Sequence, residues 1–335
     1  LRVGGDFNGT IDNIKGKNFR FAFRDIWFDG EITLFGLPDI QETFVNLKID
    51  GMEFTMEDIR EFALPGDNRH LTISPTLDIL GRIGVDGTFT GFANDFVANG
   101  NFRTALGRFT TDVNLQPEES GIIKYQGELT AREFNIGKLM GLSEYLGTMN
   151  LEAYIDGQGV TEESAIVGMN GNIDSLEFMG NNFNQVLIAG IFGGKRFNGY
   201  VDIFDELLQL DFNGNIDFTR DIPVVDFAAD IEDAKLYDLN ILKRDPNTYF
   251  SSQIWCSFIG KDLDVVEGRL NIDSTYYIEG EQQIFMEHLT MLTLKNGQWE
   301  REISLRSDLI DADLDGSYRF NEIYPALLSM LDNHI

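Results

Sequence analysis

Apolar and polar residues alternate at a period of two along most of this chain. In Leu208-Gln209-Leu210-Asp211-Phe212-Asn213-Gly214-Asn215-Ile216-Asp217-Phe218 every even position is apolar or Gly and every odd one polar. A strand turns successive side chains to opposite faces, so this pattern predicts strands with one face buried and the other wet. The same reading applies to Phe19/Phe21/Phe23, Thr43/Val45/Leu47/Ile49, Phe109/Thr111/Val113/Leu115, Leu151/Ala153/Ile155, Ala165/Val167/Met169 and Val225/Phe227/Ala229/Ile231. Asp-Gly, Asn-Gly and Gly-Gly signals interrupt these segments, which therefore read as antiparallel hairpins in a long meander.

A short phrase recurs on top of this alternation: a large apolar residue, a small polar one, Gly, any residue, then an aliphatic one. Copies are Phe7-Asn8-Gly9-Thr10-Ile11, Met169-Asn170-Gly171-Asn172-Ile173, Phe197-Asn198-Gly199-Tyr200-Val201 and Phe212-Asn213-Gly214-Asn215-Ile216. Looser copies are Phe89-Thr90-Gly91-Phe92-Ala93 and Tyr125-Gln126-Gly127-Glu128-Leu129. The glycine falls in the apolar row, where it gives up packing in return for a bend or a close approach by a neighbour. Repeated use predicts a strongly curved sheet with an apolar inner wall. Helical signals are short: Thr55-Met56-Glu57-Asp58 with Ile59 and Phe62, a broken stretch from Phe134 to Tyr145, and Tyr324 to Leu331. Such pieces suit the end or lip of a sheet.

Composition narrows the function. The 335 residues carry 55 acidic against 26 basic side chains, a net charge of -29, with no dense Lys/Arg stripe. Nucleic acid, whose binding rests on neutralised phosphates, is not an expected partner. Cys256 is the single cysteine and lies in an apolar strand-like run, so a disulfide framework and Cys-based metal clusters are out. No apolar run approaches the roughly 20 residues of a membrane-spanning helix. No linker composition divides the chain, so residues 1–335 read as one continuous segment; it begins at Leu1 and is expected to be a piece of a longer protein. Phe outnumbers Tyr and Trp together, 27 against 13, and Phe has no polar handle, so the lining suits alkyl chains better than a sugar cleft.

Candidate chemistry is sparse. Asp311, Asp313 and Asp315 before Gly316, with Glu322, match a calcium-loop spacing, but the preceding Glu302–Arg306 alternates like a strand where such a loop needs a helix. A charged strand-turn-strand is the expectation there. Gly190–Arg196 falls one residue short of a phosphate loop and has Arg196 where Ser or Thr would hold magnesium, so it reads as a turn. His70, His288 and His334 lack metal-type spacing, and no nucleophile elbow occurs. Neither catalytic residues nor a cofactor is expected.

One resemblance organises these observations. The segment Gly84-Val85-Asp86-Gly87-Thr88-Phe89-Thr90-Gly91-Phe92-Ala93-Asn94-Asp95-Phe96, followed by Asn101–Gly107 and Tyr125–Leu129, resembles the TamB (translocation and assembly module) family in its Bacteroidota form. Phe134–Leu139, Leu146–Met149, and Ser307-Asp308 through Asp315–Tyr318 fit the same collinear pattern. The resemblance implies an AsmA-like, repeating β-groove protein of the periplasm, anchored in the inner membrane by a helix outside this segment. It implies a bridge that carries phospholipid toward the outer membrane, meeting an Omp85-type barrel, TamA- or TamL-like, through parts outside this segment. An alternative role is a scaffold for insertion of outer-membrane proteins.

The expected fold is all-β: an elongated, strongly curved antiparallel meander forming an open apolar groove, with a few short helices at its lip or end. The residues expected to line the groove are Phe19, Phe21, Phe23, Val45, Leu47, Ile49, Phe109, Val113, Leu151, Ile155, Leu210, Phe212, Ile216 and Phe218. The bland reading of each row is ordinary core of a sheet that closes or packs on itself.

Overall fold

The computed structural model describes residues 2–61, 73–118, 120, 122–159, 164–261, 266–296, 300–317 and 319. The chain divides into two compact units, Leu1–Gly194 and Lys195–Ile335. Both are antiparallel meanders, and the fold is all-β.

In the first unit the strands are β1 (Arg2–Thr10), β2 (Asn13–Phe23), β3 (Ile26–Phe35), β4 (Phe44–Phe54), β5 (Ile83–Phe92), β6 (Asp95–Thr104), β7 (Gly107–Pro117), β8 (Ile123–Asn135), β9 (Leu146–Gln158), β10 (Ile166–Phe178), the short β11 (Asn181–Phe183) and β12 (Val186–Gly193). Each pairs with the next, except that β12 returns to β10 beside the small β10–β11 hairpin. The second unit runs β13 (Arg196–Phe204), β14 (Gln209–Asp217), β15 (Val224–Lys235), β16 (Thr248–Ile259), β17 (Glu267–Glu279), β18 (Gln282–Asn296), β19 (Glu300–Ser307) and β20 (Ala312–Gly316), each paired with its successor. Among the described residues no pairing joins β1 to β12, or β13 to β20, so neither ladder closes into a barrel.

Two local devices bend the ladders. Gly127 has φ +150°, and a Cβ there would stand 2.1 Å from the Asp112 carbonyl oxygen, so only glycine lets β8 approach β7 this closely. At Gly214 a Cβ would stand 2.4 Å from Cβ of Phe227; here the missing side chain makes room for an aromatic neighbour. The second device is the β-bulge. Register shifts fall between Gly16 and Phe19, Ala131 and Phe134, and Ile231 and Ala234, and inside each lies a polar residue at positive φ: Asn18, Glu133 and Asp233. An extra residue on one strand bends it and deepens its twist.

Short helices gather at one end of the first unit. α1 (Met56–Glu61) starts at a reciprocal cap, with the Thr55 N–H donating to Asp58 Oδ2 at 2.9 Å and the Asp58 N–H to Thr55 Oγ1 at 3.2 Å. α2 (Ile136–Met140) is capped by Asn135, whose Oδ1 accepts from the Lys138 N–H at 2.8 Å, and ends at left-handed Gly141. A 3₁₀ turn, Pro75–Leu80, packs against both. The helical expectations near residues 55 and 134 are met, the 3₁₀ turn has no counterpart in the sequence reading, and Tyr324–Leu331 lies outside the described residues.

Candidate functional site

Strand register collects the apolar rows onto one face of each ladder. In the first unit the line Ile32–Leu47–Phe89–Ala98–Val113–Gly127–Ile155–Met169–Gly190 crosses nine strands, each residue directly opposite the next. The parallel line Phe21–Phe28–Met52–Val85–Phe102–Phe109–Ala131–Leu151–Ile173–Val186 crosses ten. In the second unit Val201–Phe212–Ala229–Ile254–Ile272–Leu289 does the same. The phrase copies also come into register, with Gly199 facing Gly214 across β13 and β14. Polar side chains dominate the opposite face, with Trp27, Val97, Ile191 and Trp255 exposed among them. There Arg132 is shared by Glu152 and Asp174, and Arg103 meets Asp86.

Burial along the first unit's apolar face is graded. Where the short helices sit, Ile83 is 1% exposed and Leu151 2%, and Phe134, Phe183 and Val186 are buried with them. Away from that end Val45, Leu47, Ile49, Phe89, Phe96, Leu115 and Ile155 are only half-buried. In the second unit Leu210, Phe212, Ile216, Phe227, Ile254 and Leu270 are likewise half-buried, whereas Ala234, Leu236, Leu239 and Thr248 are buried at one end. The intermediate exposure matters, because a face packed under a second sheet would be buried throughout. Ring contacts run between neighbouring strands: Phe102 stacks on Phe109 at 4.6 Å, Phe89 on Phe96 at 4.2 Å, and Phe212 lies 5.3 Å from Phe227.

Thirteen of the fourteen residues expected to line a groove fall on these faces: Phe19, Phe21, Phe23, Val45, Leu47, Ile49, Phe109, Val113, Leu151 and Ile155 in the first unit, Leu210, Phe212 and Ile216 in the second. Val113 and Leu151 are buried and act as core. Phe218 stands beyond the end of β14, 52% exposed, its N–H donating to the Lys195 carbonyl. Ile32, Leu34, Phe89, Phe96, Met169, Ile254 and Phe258 share the same faces but are not among the fourteen. The period-2 signal was present at Phe89 and Met169, inside two copies of the glycine phrase.

The other candidates resolve as local structure. Asp313 and Asp315 lie on β20, and Asp313 receives both Nη2 contacts of Arg306, at 2.7 and 2.8 Å, so the calcium spacing is a strand-turn-strand here; Glu322 lies outside the described residues. Of Gly190–Arg196, expected to be a turn, only Gly194 and Lys195 turn; Gly190–Gly193 belong to β12 and Arg196 opens β13, because the ladder pairing of both strands runs up to a two-residue hairpin. His288 donates or accepts at both nitrogens, to Asp273 at 2.7 Å and Thr290 at 2.9 Å, while His70 and His334 are not described. Burial pushes the Cys256 thiol up, with Asp226 adding to the effect, which leaves it an inert part of the apolar face between Phe227 and Leu270. Among the described residues no three His, Cys, Asp or Glu side chains converge as a metal would need.

No family model, curated protein or solved structure matches the chain.

Proposed function

We propose that this protein carries lipid acyl chains along its apolar sheet faces, as a segment of a periplasmic bridge between inner and outer membrane of the TamB-like kind. One observation supports the reading most: strand after strand turns its apolar row to a shared face that is left half-exposed, with short helices at one end of the first unit and, among the described residues, no second sheet over it. Phospholipid fits such a face, since its acyl chains would leave water while the head group stays hydrated. Each methylene removed from water is worth about 0.8 kcal/mol, so shielding a chain of them lowers the barrier to crossing an aqueous gap substantially. Movement without catalysis or cofactor also needs an even surface, or the chain would stop at its tightest point. Partner contact with an Omp85-type barrel would fall to parts of a longer protein.

The test is native mass spectrometry with lipid extraction on the purified protein, repeated for Phe212→Asp combined with Ile216→Asp, circular dichroism confirming the fold. Phospholipid that copurifies and is lost in the folded double variant is the expected result. Absence of lipid from both proteins would sink the proposal and favour a scaffold for outer-membrane proteins or a plain spacer.

A further inference from the structure

Register brings three arginines side by side on the polar face of the first unit, although they are well separated along the chain. The cross-strand row Glu53–Gly84–Arg103–Arg108–Arg132 sets Arg108 on β7 directly opposite both Arg103 on β6 and Arg132 on β8. Residues so placed have Cβ atoms about 5 Å apart, and like charges at that separation repel. The two flanking guanidiniums lean away from the centre. Arg103 lies over Gly84, where a Cβ would stand 3.4 Å from its Nε, and meets Asp86. Arg132 reaches the other way, to Glu152 on β9 and Asp174 on β10. Arg108 is left between them, exposed, and among the described residues it has neither an ion pair nor a hydrogen bond.

The groups around Arg108 leave room for an anion. Thr110, two residues along β7, donates to Asn101 Oδ1 at 3.0 Å, but the hydroxyl of Thr130, opposite Thr110 and diagonal to Arg108, has no partner among the described residues. Asp86, Glu152 and Asp174 are each held by a flanking arginine on the side away from Arg108. Glu133, exposed in the bulge after Arg132, forms no ion pair with Arg108. A chain of net charge -29 repels anions in general, so one that stays must be gripped by geometry. A guanidinium fork offers that grip, since its paired N–H groups match two oxygens of one phosphate.

We propose that Arg108 is the centre of a site for a phosphate group, carried by a small soluble phosphomonoester or by a lipid head group. The Arg108 fork donates to two phosphate oxygens and the Thr130 hydroxyl to a third, while Arg103 and Arg132 keep their carboxylates and raise the local potential from either side. The site is on the face away from the apolar rows, so it stands or falls independently of acyl-chain binding there.

The experiment is a phosphorus-31 NMR titration of the full chain with glycerol 3-phosphate in about 10 mM NaCl, where screening is weak, beside flotation with phosphatidylcholine vesicles with and without phosphatidic acid. Saturable binding of the soluble ester near about 1 mM assigns a soluble ligand. Flotation that requires phosphatidic acid assigns a lipid head group. In whichever arm binds, Arg108→Gln should weaken binding about tenfold or more, and Arg108→Lys, which keeps the charge without the fork, by several-fold. The control is Arg269→Gln on the second unit, where Arg269 is exposed and unpaired like Arg108 but stands between Ser257 and Leu292. It removes the same charge and should leave binding within about twofold. No binding in either arm, flotation indifferent to phosphatidic acid with no binding of the soluble ester, or equal losses in Arg108→Gln and Arg269→Gln would overturn the proposal.

Discussion

Asp217 is a buried carboxylate at the end of β14 whose charge is fully answered. Its Oδ1 accepts from the Thr219 N–H at 2.9 Å and from the Thr219 hydroxyl, and its Oδ2 from Arg220 Nε at 3.1 Å. The Thr219 hydroxyl, then the Thr219 N–H, hold its pKa below the usual carboxylate value, with Arg220 and Arg196 helping. A folded-state pKa below the unfolded one stabilises the protein above the ordinary carboxylate range and loses that contribution as pH falls through the folded value. Asp217→Asn should therefore lower the urea midpoint at pH 7 and flatten its fall in acid, and an unchanged acid limb would show that Asp217 is not so held. Sequence alone marks Asp217 as one polar residue in an alternating row; the Thr219 and Arg220 contacts that distinguish it arise from the turn after β14.

At the scale of the strand, the expectation that glycines in the apolar row serve close approach separates into two cases. Gly127 admits backbone, and Gly214 admits a phenylalanine. The identical phrase carries both, because which neighbour comes close depends on register, a long-range property. Gly127→Ala meets both a left-handed φ and the Asp112 carbonyl, so it should destabilise the protein by about 2 kcal/mol or more in urea unfolding. A loss no larger than that of an exposed strand substitution would mean that β7 and β8 relax apart freely. Period-2 alternation disclosed most strands, since half-wet sheets print their two faces directly on the chain. Bulges at Asn18, Glu133 and Asp233 stayed hidden, because a polar residue at positive φ looks like any other polar residue.

Over the whole molecule, charge excess outweighs pairing. Most of the ion pairs are exposed and individually weak, while 55 acids against 26 bases leave a net charge of -29. Raising NaCl from about 10 mM to about 150 mM shortens the screening length from roughly 30 Å to 8 Å, so relief of self-repulsion should win and the melting temperature should rise by a few degrees. A fall would show that the surface pairs dominate. The apolar face and most of its members were legible because apolar rows repeat, but which members stay half-exposed and which are core was not. Leu151 lies on β9, against which α2 packs, and is core there; Val113 is buried in a row whose other large members stay half-buried, and Phe218 stands beyond its strand.

The meander has a further consequence. Neighbouring strands lie about 4.8 Å apart, so the ten steps from β1 through β10 to β12 carry the apolar face across roughly 48 Å, and each added hairpin extends it by roughly 10 Å. Span is then set by counting hairpins while the cross-section stays the same. A lineage of such proteins could match gaps of different width by duplicating or deleting a pair of strands, with no residue of the remaining wall redesigned.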